Sequence, residues 1–180
     1  MPDGDTLGSC IGVYYMVKHF NKRGYIVLND DIPSNLSFLF DEEVKCYQLS
    51  EVEDINFELS IAVDAGETKL FEDRYEAFKA SGKTVCIDHH KTNSMYAGLN
   101  IVEVAASSTG EIVYQLMKTF ECPINATAGQ GLYAAIVTDT GSFRYTNTRS
   151  EPFTACTELI QTGFDFTRLN VYNFQIKFYE

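Results

Sequence analysis

The sequence predicts an α/β domain, a parallel sheet flanked by helices and joined by right-handed crossovers. Three observations carry that expectation. Apolar runs of strand length, "GYIVLND", "LSIAVDAG" and "KTVCIDHH", alternate from end to end with segments of helical apolar spacing. Acidic and imidazole side chains stand at the carboxyl ends of two of those runs, the edge where open α/β sheets bind ligands. The composition, 45% hydrophobic and 22% charged over 180 residues, suits one globular domain with a real core.

The elements follow in order. Leu7, Ile11, Tyr14 and Tyr15, with a second set at Val13, Met16, Val17 and Phe20, predict a largely buried helix ended by Lys22, Arg23 and Gly24. "GYIVLND" predicts a buried strand ending near Asp30, and "LSIAVDAG" a second ending at Asp64. A helix is expected through Phe71, Tyr75 and Phe78, closed by Gly82. "KTVCIDHH" is the third strand, ending at Asp88-His89-His90, and "LNIVEV" a candidate fourth. Ser108 and Glu111 have capping-box spacing ahead of Ile112, Val113, Leu116 and Met117, so a helix starts there. Further helices are expected leading into "AAIVTDTGSF", from Phe153 to Ile160 with Gly163 behind it, and from Asp165 to about Phe174. No internal repeat, low-complexity tract or clear linker interrupts the pattern, and the final "NFQIKFYE" reads as the start of a connection.

Composition narrows the function classes. A net charge of -11 argues against electrostatic tracking of long nucleic acid, but leaves room for a small phosphorylated substrate held through divalent cations. The five cysteines are odd in number, widely spread and without a Cys-x-x-Cys, so reduced thiols in a cytosol are expected. No apolar run is long enough to span a bilayer and no secretory leader is legible, which predicts a cytoplasmic protein without membrane association. A Walker A loop, a Gly-x-Gly-x-x-Gly and a Gly-x-Ser-x-Gly are all absent from the sequence.

Taken singly, the chemistry-bearing residues have ordinary readings. "PDGD" holds Asp3 and Asp5 in a turn whose aspartate caps the helix starting near Thr6 or Leu7, or else pairs two hard oxygen ligands at that helix end. An EF-hand is excluded, because Leu7 stands where a third oxygen ligand is required. Asp64 is a cap or a ligand at its strand end, and Asp139 before Gly141 is a turn acid. "IDHHKTN" is harder to explain by packing: two adjacent histidines follow an acid at a strand end, and His19 is the only other histidine. His89 and His90 therefore point to metal or phosphate contact. Arg144 is a candidate contact for an anionic substrate, Lys91 and Arg149 read as surface charges, and Phe143 and Tyr145 as packing residues able to stack a base. Together, several carboxylates and one or two imidazoles at loop positions suit Mn²⁺ or Mg²⁺ better than zinc or copper. Two such ions would need a bridging carboxylate.

"PDGDTLGS", "AVDAG", "IDHH", "ASSTGE" and "GLYAAIVTDTGSFRY" occur in the order and approximate spacing of the DHH phosphoesterase superfamily. The chain resembles that family along essentially its whole length, and within it the bacterial nanoRNases that also act as pAp phosphatases. The resemblance implies a Rossmann-like parallel sheet flanked by helices, with residues 1–180 as the DHH catalytic domain. It implies hydrolysis of short oligoribonucleotides to 5′-mononucleotides and of pAp to AMP with two Mn²⁺ ions, for which Mg²⁺ or Co²⁺ could substitute. Asp3, Asp5, Asp64, His89 and Asp139 match its metal ligands, Asp64 in the bridging position. His90 matches the position that contacts the substrate phosphate, so His90 and Asp64 are the expected catalytic residues and Asp88 orients the histidines. The implied partners are a short oligonucleotide or pAp; long nucleic acid and membranes are not expected, and a homodimer is admitted.

Two features of the family are not in the sequence as given. Met1 directly precedes Pro2, where the family carries an apolar strand and a metal-binding histidine. The family's smaller C-terminal domain, with its glycine-rich substrate motif, is likewise beyond Glu180. The chain is therefore expected to be a shortened gene model or a fragment of a longer protein, to lack the first strand of the sheet, to bind its first metal weakly and to show little or no turnover. The rival expectations are a DHH phosphoesterase acting on pyrophosphate, polyphosphate, a cyclic dinucleotide or single-stranded DNA, and a non-catalytic module that binds nucleotide or metal.

Overall fold

The computed structural model describes residues 2–167 and Leu169. All its described strands run parallel, in two sheets. β1 (Ile26–Val27) pairs with β2 (Cys46–Tyr47), while β3 (Leu59–Val63), β4 (Lys83–Asp88) and β5 (Leu99–Val102) pair in that order. The expected "GYIVLND" strand thus shrinks to two residues, because a strand is as long as its partner and only Cys46 and Tyr47 oppose it. β2 itself was not expected: a two-residue strand has no periodicity to read.

Among the described residues five α-helices surround these strands: α1 (Gly4–His19), α2 (Tyr75–Ala80), α3 (Thr109–Thr119), α4 (Ala126–Asp139) and α5 (Ser150–Ile160). Three begin on side-chain caps, with Asp3, Ser108 and Asn125 accepting from the amides of Thr6, Glu111 and Ala128. The helix expected through Phe71 is broken. Residues 68–74 form a 3-10 stretch in which Phe71 leaves helical geometry (φ −142°), and only Tyr75–Ala80 is α-helical. The Phe71 ring instead packs against Tyr75, Phe78 and Tyr96, an aromatic cluster that tertiary contact favours over helix propensity. The helix expected from Asp165 to about Phe174 lies largely outside the described residues, as does "NFQIKFYE".

Alternation along β3, β4 and β5 sends Ile61, Val63, Val85, Ile87 and Ile101 to one face, where they join the main core with α1, α3 and α4. α2 packs against β3 and β4, and the Phe71–Phe78–Tyr96 cluster forms a separate group outside that core. α4 lies over α1 and α3, and α5 over α4. Among the described residues no helix is long and apolar enough to cross a membrane.

Glycine sets the spacing that matters most. A Cβ on Gly8 would stand 2.1 Å from the Gly131 carbonyl oxygen, and one on Gly110 2.4 Å from the Ala135 Cβ. α1 and the start of α3 therefore lie against α4 at backbone contact. This brings the Asp3–Asp5 stretch and the Ser108–Gly110 turn beside Asp139, the last residue of α4. Gly8→Val should push α1 off α4 and destabilise the fold by about 3 kcal/mol, the upper end of ordinary overpacking costs. Urea denaturation of the metal-free chain measures it, and the loss should be accompanied by weakened metal binding, since the same contact aligns Asp5 with Asp139.

Candidate metal centre

Five pieces of backbone converge at the carboxyl edge of the larger sheet: the N-termini of α1 and α3, the ends of β3 and β4, and the C-terminus of α4. Asp5, in the first turn of α1, is 1% exposed. Its carboxylate docks onto the N-terminus of α3, accepting the Thr109 and Gly110 amides at 2.8 Å each, with the Ser9 hydroxyl at 3.1 Å. A helix N-terminus is the natural seat for such a charge. Burial pushes the Asp5 carboxyl well up, the Asp64 charge adds to it, and the two amide bonds oppose the rise.

Asp64 follows the last residue of β3 with φ 55°, a left-handed backbone that a non-glycine residue adopts at a cost of about 1–3 kcal/mol. The conformation turns its carboxylate between two hydroxyls: Thr6 Oγ1 donates to Oδ2 at 2.7 Å and Thr109 Oγ1 to Oδ1 at 3.2 Å. Burial raises its pKa, the Thr6 bond opposes the rise, and the Asp3 charge adds to it. Burial raises Asp139 too, with His89 pulling it down. Asn147 pins Asp139, donating to its carbonyl at 3.1 Å and to the Ser107 carbonyl at 2.8 Å.

His89 faces all three acids. Its Nδ1 lies 3.4 Å from the Ala106 carbonyl, an oxygen that can only accept, so Nδ1 donates there and Nε2 is the nitrogen turned toward the acids. That Nε2 is buried without a hydrogen-bond partner and lies 3.7 Å from Asp5 Oδ2, 3.9 Å from Asp64 Oδ1 and 3.5 Å from Asp139 Oδ2. Two ligands of one divalent ion, each about 2.1 Å from it, stand about 3–4 Å apart. The spacing, the unpartnered Nε2 and the gathered carboxylates fit a metal cation, which Asp5, His89 and Asp139 could hold, with Asp64 Oδ1 beside them. A second grouping joins Asp64, His89 and His90.

His90 is arranged differently. Its Nδ1 meets Asp88 Oδ1 at 2.7 Å, and its side chain remains 46% exposed, so Nε2 is the nitrogen left to meet a substrate. Burial alone would lower its pKa, but the Asp88 bond and the charges of Asp88, Asp64 and Asp139 outweigh that and raise it. Asp88, completely buried, thus meets His90 and, among the described residues, not His89, whose Nδ1 faces the Ala106 carbonyl.

Not every expected residue joins the centre. Asp3 caps α1 and falls in neither ligand group, although its charge is felt by Asp64 and Asp139. Arg144 is exposed and bonds its Nε to the Gly141 carbonyl at 2.7 Å, within the turn after α4. Phe143 stacks on Phe153, while Tyr145 packs over Gly141 and stays 60% exposed. Arg149 is exposed, as a surface charge would be, and also pairs with the buried Glu111 carboxylate at 3.1 Å, whose other oxygen accepts the Ser107 amide at 2.7 Å. The sequence reading missed Thr6, Thr109, Asn93 and Asn147. Thr6 and Thr109 lie inside quoted motifs, but nothing local says which carboxylate a hydroxyl will meet.

The raised carboxylates make a prediction with a definite sign. Without metal, their folded-state pKa values exceed the unfolded ones, so they favour the fold below the ordinary carboxylate range and that contribution is lost as pH rises through the raised values. Metal binding needs the ionised forms and reverses the trend. Thermal melts should show the gain from added Mn²⁺ growing from pH 5 to pH 8; a gain independent of pH would contradict the assignment.

Comparison with known proteins agrees with this architecture. The model for the DHH family, N-terminal domain, matches residues 1–138. The chain is 30% identical over 168 residues to the bifunctional oligoribonuclease and PAP phosphatase NrnA of Thermus thermophilus, covering 93% of this chain and 49% of that protein. It is 31% identical over 174 residues to the protein of the same name from Bacillus subtilis (93% and 52%), and 30% identical over 179 residues to the cyclic-di-AMP phosphodiesterase GdpP of that organism (91% and 27%). The chain thus spans about half the length of the first relatives it matches. The fold superposes on the crystal structure of an exopolyphosphatase-related protein from Bacteroides fragilis with a TM-score of 0.85 at 21% identity, covering 96% of this chain and 53% of that one. With the family model matching 138 residues and the buried acids and histidines gathered at one sheet edge, the chain belongs to the DHH family.

Proposed function

We propose that this chain is the catalytic half of a Mn²⁺-dependent phosphoesterase that cleaves short oligoribonucleotides to 5′-mononucleotides and pAp to AMP. The observation that carries the reading is His89 Nε2, buried, unpartnered and 3.5–3.9 Å from three carboxylates. The oligoribonuclease and PAP phosphatase relatives, at 30–31% identity, favour these substrates. The match to a cyclic-di-AMP phosphodiesterase supports a cyclic dinucleotide as the second reading.

Bound divalent ions would polarise a phosphoryl oxygen and lower the pKa of water. The chain's own residues supply the rest. Asp5, His89 and Asp139, with Asp64 beside them, would hold one ion, and Asp64 would also serve a second, for which Asp3 is the nearby acid outside the buried group. The raised His90 pKa favours its cationic form, and its Nε2–H is free to donate to phosphoryl oxygens as charge develops on them. Arg144 stands in the turn after Asp139 as the candidate contact for the rest of the anion. β1 and β3 each keep an unpaired edge among the described residues, and α1 packs against both, an arrangement compatible with a further strand between them.

Calorimetric titration of the chain with Mn²⁺ should find one tight ion and a second, much weaker one; two ions of equal tightness would sink the division of roles. In excess Mn²⁺, pAp and a diribonucleotide should be hydrolysed faster than cyclic di-AMP or pyrophosphate, and the reverse order would favour the second reading. In a full-length version, Asp64→Asn keeps a residue tolerant of the left-handed backbone and removes the charge, so turnover should fall about 1,000-fold, several kcal/mol of transition-state stabilisation, with the fold intact. Retained activity in Asp64→Asn or Asp64→Ala would refute the bridging role.

A further inference from the structure

The loop behind the two histidines carries a side chain with no part in the scheme above. Asn93 donates Nδ2 to Asp88 Oδ2 at 2.6 Å, while Asp88 Oδ1 meets His90 Nδ1 at 2.7 Å. Asp88 is completely buried, so each of its oxygens depends on the donor the fold provides. The orientation of the Asn93 amide is settled by its other bond. Oδ1 accepts from the Met95 amide at 2.7 Å, which leaves Nδ2 to face Asp88 and, at 3.4 Å, the Cys86 sulfur.

The loop has anchors of its own. The Asn93 amide bonds the His90 carbonyl at 3.1 Å and the Ser94 amide the Gly66 carbonyl at 2.9 Å. Met95 takes a left-handed backbone, φ 54°, to close the turn. The Asn93 side chain is therefore more than a loop fastener: it occupies the one oxygen of Asp88 that His90 does not.

From this geometry we infer that Asn93 is a positioning residue for His90. By holding Oδ2, it stops the Asp88 carboxylate from turning, and so keeps Oδ1 on His90 Nδ1. The His90 ring is thereby held with Nδ1 on Asp88 Oδ1 and Nε2 turned toward the incoming phosphoryl group. Without the Nδ2 donor, Oδ2 would be a buried acceptor with no partner, and the Asp88–His90 bond would loosen as the carboxylate sought another. The inference rests on the proposed phosphoester hydrolysis for its consequence, but not for its geometry.

Asn93→Asp separates the two jobs of the side chain. It keeps an oxygen for the Met95 amide and replaces the Nδ2 donor with a second acceptor facing Asp88. Turnover of pAp in excess Mn²⁺ should fall about 10–100-fold, the usual size of such outer-shell effects, with KM and tight-site Mn²⁺ affinity unchanged. In a His90→Ala background the same substitution should cost nothing further, because its target is already gone. Long-range ¹H–¹⁵N spectra of the chain should show the His90 ring nitrogens shifted in Asn93→Asp while those of His89 stay in place. Full turnover in Asn93→Asp, equal losses with and without His90, or a parallel loss of Mn²⁺ affinity would each overturn the inference. Should a full-length version of the protein fail to hydrolyse any phosphoester in excess Mn²⁺, the functional reading falls, and unshifted His90 nitrogens in Asn93→Asp would still overturn the positioning role independently.

Discussion

The structure depends on a single buried carboxylate. Asp5 accepts both free amides at the start of α3, Thr109 and Gly110, across 104 and 105 residues of sequence. That pair of charge-assisted bonds ties the first turn of α1 to the first turn of α3 and leaves Asp5 Oδ2 pointing at His89. A buried acid without such donors would carry a large desolvation cost. Here the α3 N-terminus offsets much of it, and the close seating of Gly8 and Gly110 on α4 is what lets the two helix ends meet.

The same region shows a fold holding like charges together against their own repulsion. Asp5, Asp64 and Asp139 all have pKa values raised, with burial the largest cause in each. Asp64 adds a left-handed backbone to that strain. Local strain and like-charge crowding of this kind persist only when surrounding contacts over-determine them, as the Thr6 and Thr109 hydroxyls and the Asn147 amide do here. A divalent cation converts the crowding from a liability into binding energy. The two adjacent histidines divide the labour by their hydrogen bonds alone. His89 donates its Nδ1 proton to a backbone carbonyl and turns Nε2 to the acids; His90 is bonded to a carboxylate that helps raise its pKa.

Much of this was legible in one dimension. Strand ends at Asp64 and Asp88, the Ser108 cap and the helix into Asp139 come from patterns within windows of ten residues or so, and they fold as read. The misreadings share a cause. Phe71 breaks its helix because Tyr96, 25 residues on, offers its ring a better neighbour. Arg149 does lie at the surface, but its pairing with Glu111, 38 residues upstream, is beyond any local pattern. β2 is invisible locally because β1 alone defines it.

By itself, then, the sequence determined the ligand inventory: which acids and imidazoles exist, that they end strands and cap helices, and that their motifs follow the order of a DHH domain. Local propensity and side-chain chemistry suffice for that. Only the tertiary structure decided how "PDGD" divides its work. Asp3 caps α1 through the Thr6 amide three residues away, and Asp5 is carried inward to meet α3 and His89. The two aspartates are chemically identical and two residues apart, so no local rule separates them. What separates them is the direction each takes from the first turn of α1 once glycine contacts have pressed that helix against α4.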